Sequence, residues 1–159
     1  MRRLLAAAAL LVLGPLAAGC GYADTAAPRL RGGAPAADVR PFENHSSDPS
    51  VGADVAAALR AELARRGEAG GGGARAVIDG SVRTEAAAPT LPGGATLRVV
   101  LEVKARLLVD GKVEAERTVR READHLGGAD ALEGEARRAQ ALHRLAGEAA
   151  RELLDAFGE

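Results

Sequence analysis

Leu97-Arg98-Val99-Val100-Leu101-Glu102-Val103-Lys104-Ala105-Arg106-Leu107-Leu108-Val109 is the stretch that decides the fold. Its odd-numbered positions are all apolar, while the even ones carry Arg98, Glu102, Lys104 and Arg106 beside Val100 and Leu108. That period of two puts one row of side chains on each face of a strand, one face belonging to a core and the other mostly to water. Asp110-Gly111 follows and marks a hairpin. A two-residue loop would set Val109 against Lys112 and turn Val113, Ala115 and Val119 to the wrong face, because a slip of one residue inverts a strand. The pattern therefore predicts a three-residue loop over 110–112, with a bulge at Gly111, Val109 opposite Val113 and Val103 opposite Val119.

Upstream, residues 76–85 form a shorter strand with Ile78, Gly80 and Val82 on one face and Asp79, Ser81 and Arg83 on the other. Residues 86–95 hold Pro89, Pro92, Gly93 and Gly94 and read as a loop. Before the strand, Gly70 to Gly73 run in a row. A phosphate-cradling loop needs a strand before its glycines and a Lys-Ser/Thr pair with a helix after them. Here a helix precedes and Ala74-Arg75 follows, so the run is a linker.

Two helices flank this strand region. In the first, Asp48 is placed to cap, Pro49 suits the first helical position and Gly67 ends the helix, while Val51, Val55, Leu59 and Leu63 recur every four residues beside Ala58. The second spans 131–157, capped by Asp130 with Glu133 three residues on. Its expected apolar stripe is Leu132, Ala136, Ala139, Leu142, Leu145, Ala146, Ala149, Leu153 and Phe157. A short strand at 38–43, carrying Val39 and Phe42, precedes the first helix, and Pro41 confines it to a sheet edge. The order strand, helix, strand, strand, strand, helix predicts an α+β fold, two helices packed on one face of a four-stranded sheet.

The amino terminus is a different kind of segment. Met1-Arg2-Arg3, an apolar run from Leu4 to Ala18 and then Gly19-Cys20 have the layout of a secretory signal. The run is shorter than the roughly 20 residues of a membrane-spanning helix. Cys20 is the one cysteine of the chain, so no internal disulfide exists for it, and lipidation at a cleavage site after Gly19 accounts for it. Ala17 stands where a lipobox usually has Leu, which leaves an ordinary signal peptide with a free thiol as the competing reading. The expected organisation is a signal peptide over 1–19, a lipidated flexible tether rich in Ala, Pro and Gly over 20–37, and one domain over 38–159.

Composition excludes several classes. The net charge is −1 and the aromatic residues are Tyr22, Phe42 and Phe157, so neither a basic field nor a stacking platform for nucleic acid is present. His45, His125 and His143 have no ligand-type spacing, and no nucleophile–base pair or carboxylate pair stands out, so neither enzyme nor cofactor is expected. Arg83, Arg98, Lys104 and Arg106 fall on the wet sides of the two central strands and Lys112 at the hairpin tip. With Glu85 and Glu102 among them, they read either as an ordinary charged surface or as a basic strip for an anionic glycolipid.

Several segments together carry a resemblance. They are Cys20-Gly21-Tyr22, Val39-Arg40-Pro41-Phe42-Glu43-Asn44 with Asp48-Pro49 after it, and the helix ending Leu63-Ala64-Arg65-Arg66-Gly67. Val77-Ile78-Asp79-Gly80-Ser81-Val82 and the stretch from Glu135 to Leu142 at the start of the last helix complete it. In this order they resemble the LptE-type lipopolysaccharide-assembly lipoproteins over the whole mature chain. The resemblance implies an outer-membrane lipoprotein on the periplasmic side, seated in the lumen of the β-barrel LptD. There it would help the barrel assemble, plug it and bind lipopolysaccharide. It supplies no glycolipid-contacting motif, and Lys104, Arg106 and Lys112 are offered for that role on physical grounds. The first half also resembles periplasmic lipoproteins that regulate a cell-wall synthase or a secretion complex, and those usually have more elements after the second strand.

Overall fold

The computed structural model describes residues 29–92 and 94–158. The signal segment and Cys20 lie outside them. Five strand segments, β1 (Ala37–Val39), β2 (Glu43–Asn44), β3 (Ala76–Pro89), β4 (Thr96–Val109) and β5 (Lys112–Leu126), form one sheet. Two helices, α1 (Val51–Arg66) and α2 (Ala131–Phe157), pack on one of its faces. The class is the expected α+β. The sheet is four strands wide, in the order β1-β3-β4-β5, because β2 pairs with β3 further along the same edge as β1.

β1 and β2 are the two halves of the strand expected at 38–43. Pro41 lacks the N–H that a ladder needs and splits them. Phe42, between the halves, is buried against β3, where its ring lies over Gly80. A Cβ on Gly80 would stand 2.0 Å from the Lys104 carbonyl oxygen and 2.9 Å from the Phe42 ring, so no larger residue fits beneath it. Both halves run parallel to β3, and α1 makes the crossover that parallel pairing requires.

β3 extends to Pro89, past the expected end at Glu85 and into the predicted loop, with a register irregularity between Glu85 and Ala88. The β4–β5 hairpin corrects the expected turn. Its loop is Asp110-Gly111 alone, both residues with positive φ (50° and 79°), and Val109 stands opposite Lys112. The inversion that this would cause is undone two residues later, where Leu108 faces Val113, Leu107 faces Ala115 and Glu114 has no opposite number. Val113 is therefore on the outer face and half-exposed rather than in the core. From Ala115 onward the register is the expected one, with Val103 opposite Val119.

The helix-facing side of β4 is buried from Val99 to Val109 at every odd position. Val51, Val55, Leu59 and Leu63 of α1 are buried in the same core, as the spacing predicts, with α1 over β1 to β3 and α2 over β4 and β5. α1 begins two residues later than expected, after Ser50, and the Asp48 carboxylate is not its cap. Asp48 instead accepts hydrogen bonds from Thr84 of β3 and Arg138 of α2, both at 2.8 Å. Gly67, in the left-handed conformation, closes α1 with N–H bonds from Gly67 to Ala64 and from Glu68 to Leu63, which satisfy carbonyls that a helix end leaves open.

At the start of α2 the Asp130 side chain accepts from the Glu133 N–H, as the capping pair predicts, while the Glu133 carboxylate accepts from the N–H of Ala129, one residue before the cap. The apolar stripe begins later than expected. Leu132 is 82% exposed and Ala136 and Ala139 are exposed too, so burial starts at Ala141 and runs to Phe157. Part of the segment expected as tether belongs to the fold: Leu30 is buried, bridges Gly158 at the end of α2, and enters the core with Ala34 and Ala37.

Candidate functional site

The outer face of the sheet, opposite the helices, carries the polar rows of β3, β4 and β5, and register decides which charges meet. Asp79, Arg106 and Glu116 form one cross-strand row. Arg106 donates to Asp79 at 2.9 Å, and Lys104, one row along, pairs with Glu116 at 2.9 Å. Further on, Arg120 donates to Glu85, and Arg98 donates to Asp124 at 2.8 Å. Each guanidinium beside its carboxylate holds the acid below its ordinary range, Glu85 through Arg120 and Asp124 through Arg98. The face is thus a sheet of alternating signs, with each of these cations beside a carboxylate.

A shallow depression of about 480 Å³ opens on this face where the edge strand is broken. Arg40, Pro41 and Glu43 form one wall, and Asp79, Ser81, Lys104, Arg106 and Glu116 the other, with Gly80 at the junction. Of the three sequence-predicted contact residues, the structure brings Lys104 and Arg106 together here. Lys112 lies apart, about 10 Å along the strand from Arg106 and about 17 Å from Lys104, next to the turn where Arg75 donates to Asp110 at 2.6 Å. Sequence reasoning missed Arg40, which lines the depression and has no ion-pair partner among the described residues. Its signal was its place just before Pro41, which turns the chain off the sheet edge.

The chemistry available is ionic and hydrogen-bonding. Among the described residues no group of three or more His, Cys, Asp or Glu side chains is placed to hold a metal. His45 lies 3.5 Å from Glu43 at the surface, His143 is exposed on α2, and His125 is buried on β5. No helix among the described residues is long and apolar enough to cross a membrane.

A family model described as LptE, lipopolysaccharide-assembly, matches residues 35–157. The chain belongs to the LptE family. The match takes in both helices and all five strands, and LptE proteins are lipoproteins of a non-catalytic family. No curated protein matches the chain. Among solved structures, a lipoprotein from Caulobacter crescentus is similar at a TM-score of 0.55 and 16% identity, over 74% of this chain and 87% of that one. Rare lipoprotein B from Shewanella oneidensis is similar at 0.51 and 16%, over 72% and 91%. A minor lipoprotein from Acinetobacter baumannii is similar at 0.51 and 11%, over 76% and 90%. At these identities the likeness is one of fold.

Proposed function

We propose that this LptE-family chain is the outer-membrane lipoprotein subunit of a lipopolysaccharide-assembly translocon. It is anchored through lipid on Cys20 and seated on the periplasmic side within the β-barrel LptD, which it helps to assemble and plugs. The observation that carries the reading is the family match over 35–157, and two others support it. The Leu-rich segment ending at Gly19-Cys20 has the layout of a lipoprotein signal. The uncovered sheet face, with charges paired in rows, suits the polar interior of an outer-membrane barrel.

Lipopolysaccharide is the second partner. Its phosphates would meet Lys104 and Arg106 in the depression, with Arg40 beside them, and Lys112 at the hairpin. Because Lys104 and Arg106 already hold Glu116 and Asp79, a phosphate would have to exchange with a carboxylate, which favours weak, reversible contact. The test is to tag the carboxy terminus, extract the envelope in mild detergent, and identify what copurifies. A large β-barrel in near-equal amount is expected. A cell-wall synthase or a secretion component recovered without a barrel would refute the translocon assignment. For the glycolipid contact, the charge reversals Arg40→Glu and Lys104→Glu should each weaken retention of lipopolysaccharide by the purified protein, and unchanged retention in both would remove these residues from the assignment.

A further inference from the structure

Apolar side chains seal the helix layer to the sheet along most of its length, but not at the end where α2 begins. Burial in α2 starts at Ala141. The positions that continue this face toward the amino terminus, three and four residues back and then one more turn, are Arg138, Arg137 and Gly134 rather than leucines. What holds these turns is polar. Asp48 Oδ2 accepts at 2.8 Å from both Arg138 and Thr84, so the loop before α1, the far half of β3 and the start of α2 converge on one oxygen. Both members of the Asp48–Arg138 pair are only 15% exposed. Arg137 donates to the Gly127 carbonyl at 3.3 Å and to Glu133, contacts local to the loop that leads into the helix. None of residues 131–140 is buried, and Leu132 points into solvent.

We propose that residues 131–140 of α2 form a latched lid that opens while the helix from 141 onward stays docked, with the Asp48–Arg138 pair as the latch. Segments that bury little apolar surface open at a lower free energy than the core they adjoin. Residues 127–128, both glycine, give the connection from β5 the freedom to follow. Opening uncovers the helix-facing end of the sheet around Thr84, which shares the Asp48 carboxylate with Arg138. This inference concerns the domain alone and does not rest on the barrel or glycolipid assignments.

Hydrogen exchange read by mass spectrometry, on the full mature protein in detergent micelles, tests it. Amides of 134–140 are expected to exchange at least about tenfold faster than those of 145–153, as sub-global opening requires. Arg138→Met, which keeps an apolar stem of similar length, and Asp48→Asn should each speed 134–140 by a further factor of about ten, leaving 145–153 unchanged. A third measurement needs no variant: low urea should accelerate 145–153 but leave 134–140 nearly unaffected, since lid opening exposes little surface. Equal protection of the two segments in the wild type, or an equal response of both to urea, overturns the proposal. So does acceleration of both segments alike by the two substitutions.

Discussion

Replacing Gly80 by alanine is expected to damage the β3–β4 pairing, and the structure gives the size of the effect. The new Cβ would lie 2.0 Å from the Lys104 carbonyl oxygen and 2.9 Å from the Ala105 Cα, where ordinary contact begins at 3.4 Å. The first overlap exceeds 1 Å and its partner is backbone, so no rotamer relieves it. Overpacking by one methyl costs about 1–3 kcal/mol when side chains can yield. Here β4 itself must shift, weakening ladder hydrogen bonds that contribute about 1 kcal/mol each. A loss of ~3–5 kcal/mol follows, a large share of the ~5–15 kcal/mol that holds a domain of this size. Urea unfolding with linear extrapolation measures it. The double variant Gly80→Ala/Phe42→Ala separates causes: because the closest contacts are with β4 backbone, removing the Phe42 ring should not restore stability. A single variant within about 0.5 kcal/mol of the parent, the range of neutral surface changes, would refute the reasoning. So would a double variant more stable than the single one.

Three further outcomes follow from the same geometry. Glu62 on α1 is 9% exposed at its side chain, and its hydrogen bond from Arg65, with help from Arg66 at 2.8 Å, lowers its pKa from 4.5 to about 2 against the opposing cost of burial. A lowered acid stabilises the fold above the unfolded-state pKa and loses that contribution as pH falls through the folded one. Arg65 is 66% exposed and screened, so Glu62→Gln should cost ~1–2 kcal/mol at pH 7, and the gap to the parent should narrow below pH 4.5 and close near pH 2 in pH-dependent unfolding. Gly111→Ala meets no atom within 4 Å but keeps a φ of 79°, so thermal unfolding should show a loss of only about 1 kcal/mol. Leu132→Ser should change stability by less than about 0.5 kcal/mol, whereas Leu153→Ala, fully buried on the same helix, should cost about 2–5 kcal/mol by chemical denaturation.

The sequence showed most plainly what repeats. Val99 to Val109 alternates over most of β4, and the Val51, Val55, Leu59, Leu63 row of α1 is buried as its spacing implied. Misreadings arose where a long-range partner replaced a local rule. Asp48-Pro49 has the composition of a helix start, yet the carboxylate is taken by Thr84 and Arg138 from other elements, which nothing nearby in the chain announces. Leu132, Ala136 and Ala139 share a spacing with the true stripe, but arginines occupy the core-facing positions of those turns, and apolarity alone gave the wrong phase. In the candidate site, the exposure of Lys104 and Arg106 was legible from alternation. Their pairing with Glu116 and Asp79 was not, because Asp79 meets Arg106 only through the β3–β4 register and Lys104 reaches Glu116 diagonally rather than straight across. Arg40 reached the depression only because Pro41 broke the edge strand, a tertiary outcome of a local defect.

The unopposed Glu114 and the two-residue turn belong together as a matter of odd and even counting. Residues 108–114 lie between Leu107 and Ala115, which face each other, and a three-residue turn with a regular β5 would hold the same inward row. Deleting Glu114 alone should therefore be tolerated, because it removes the bulge and leaves a two-residue turn and a regular ladder with Leu107 still opposite Ala115. A single deletion further along β5, between Ala115 and Val119, would instead carry Val119 and Ala123 from the helix side to the water side along the rest of the strand.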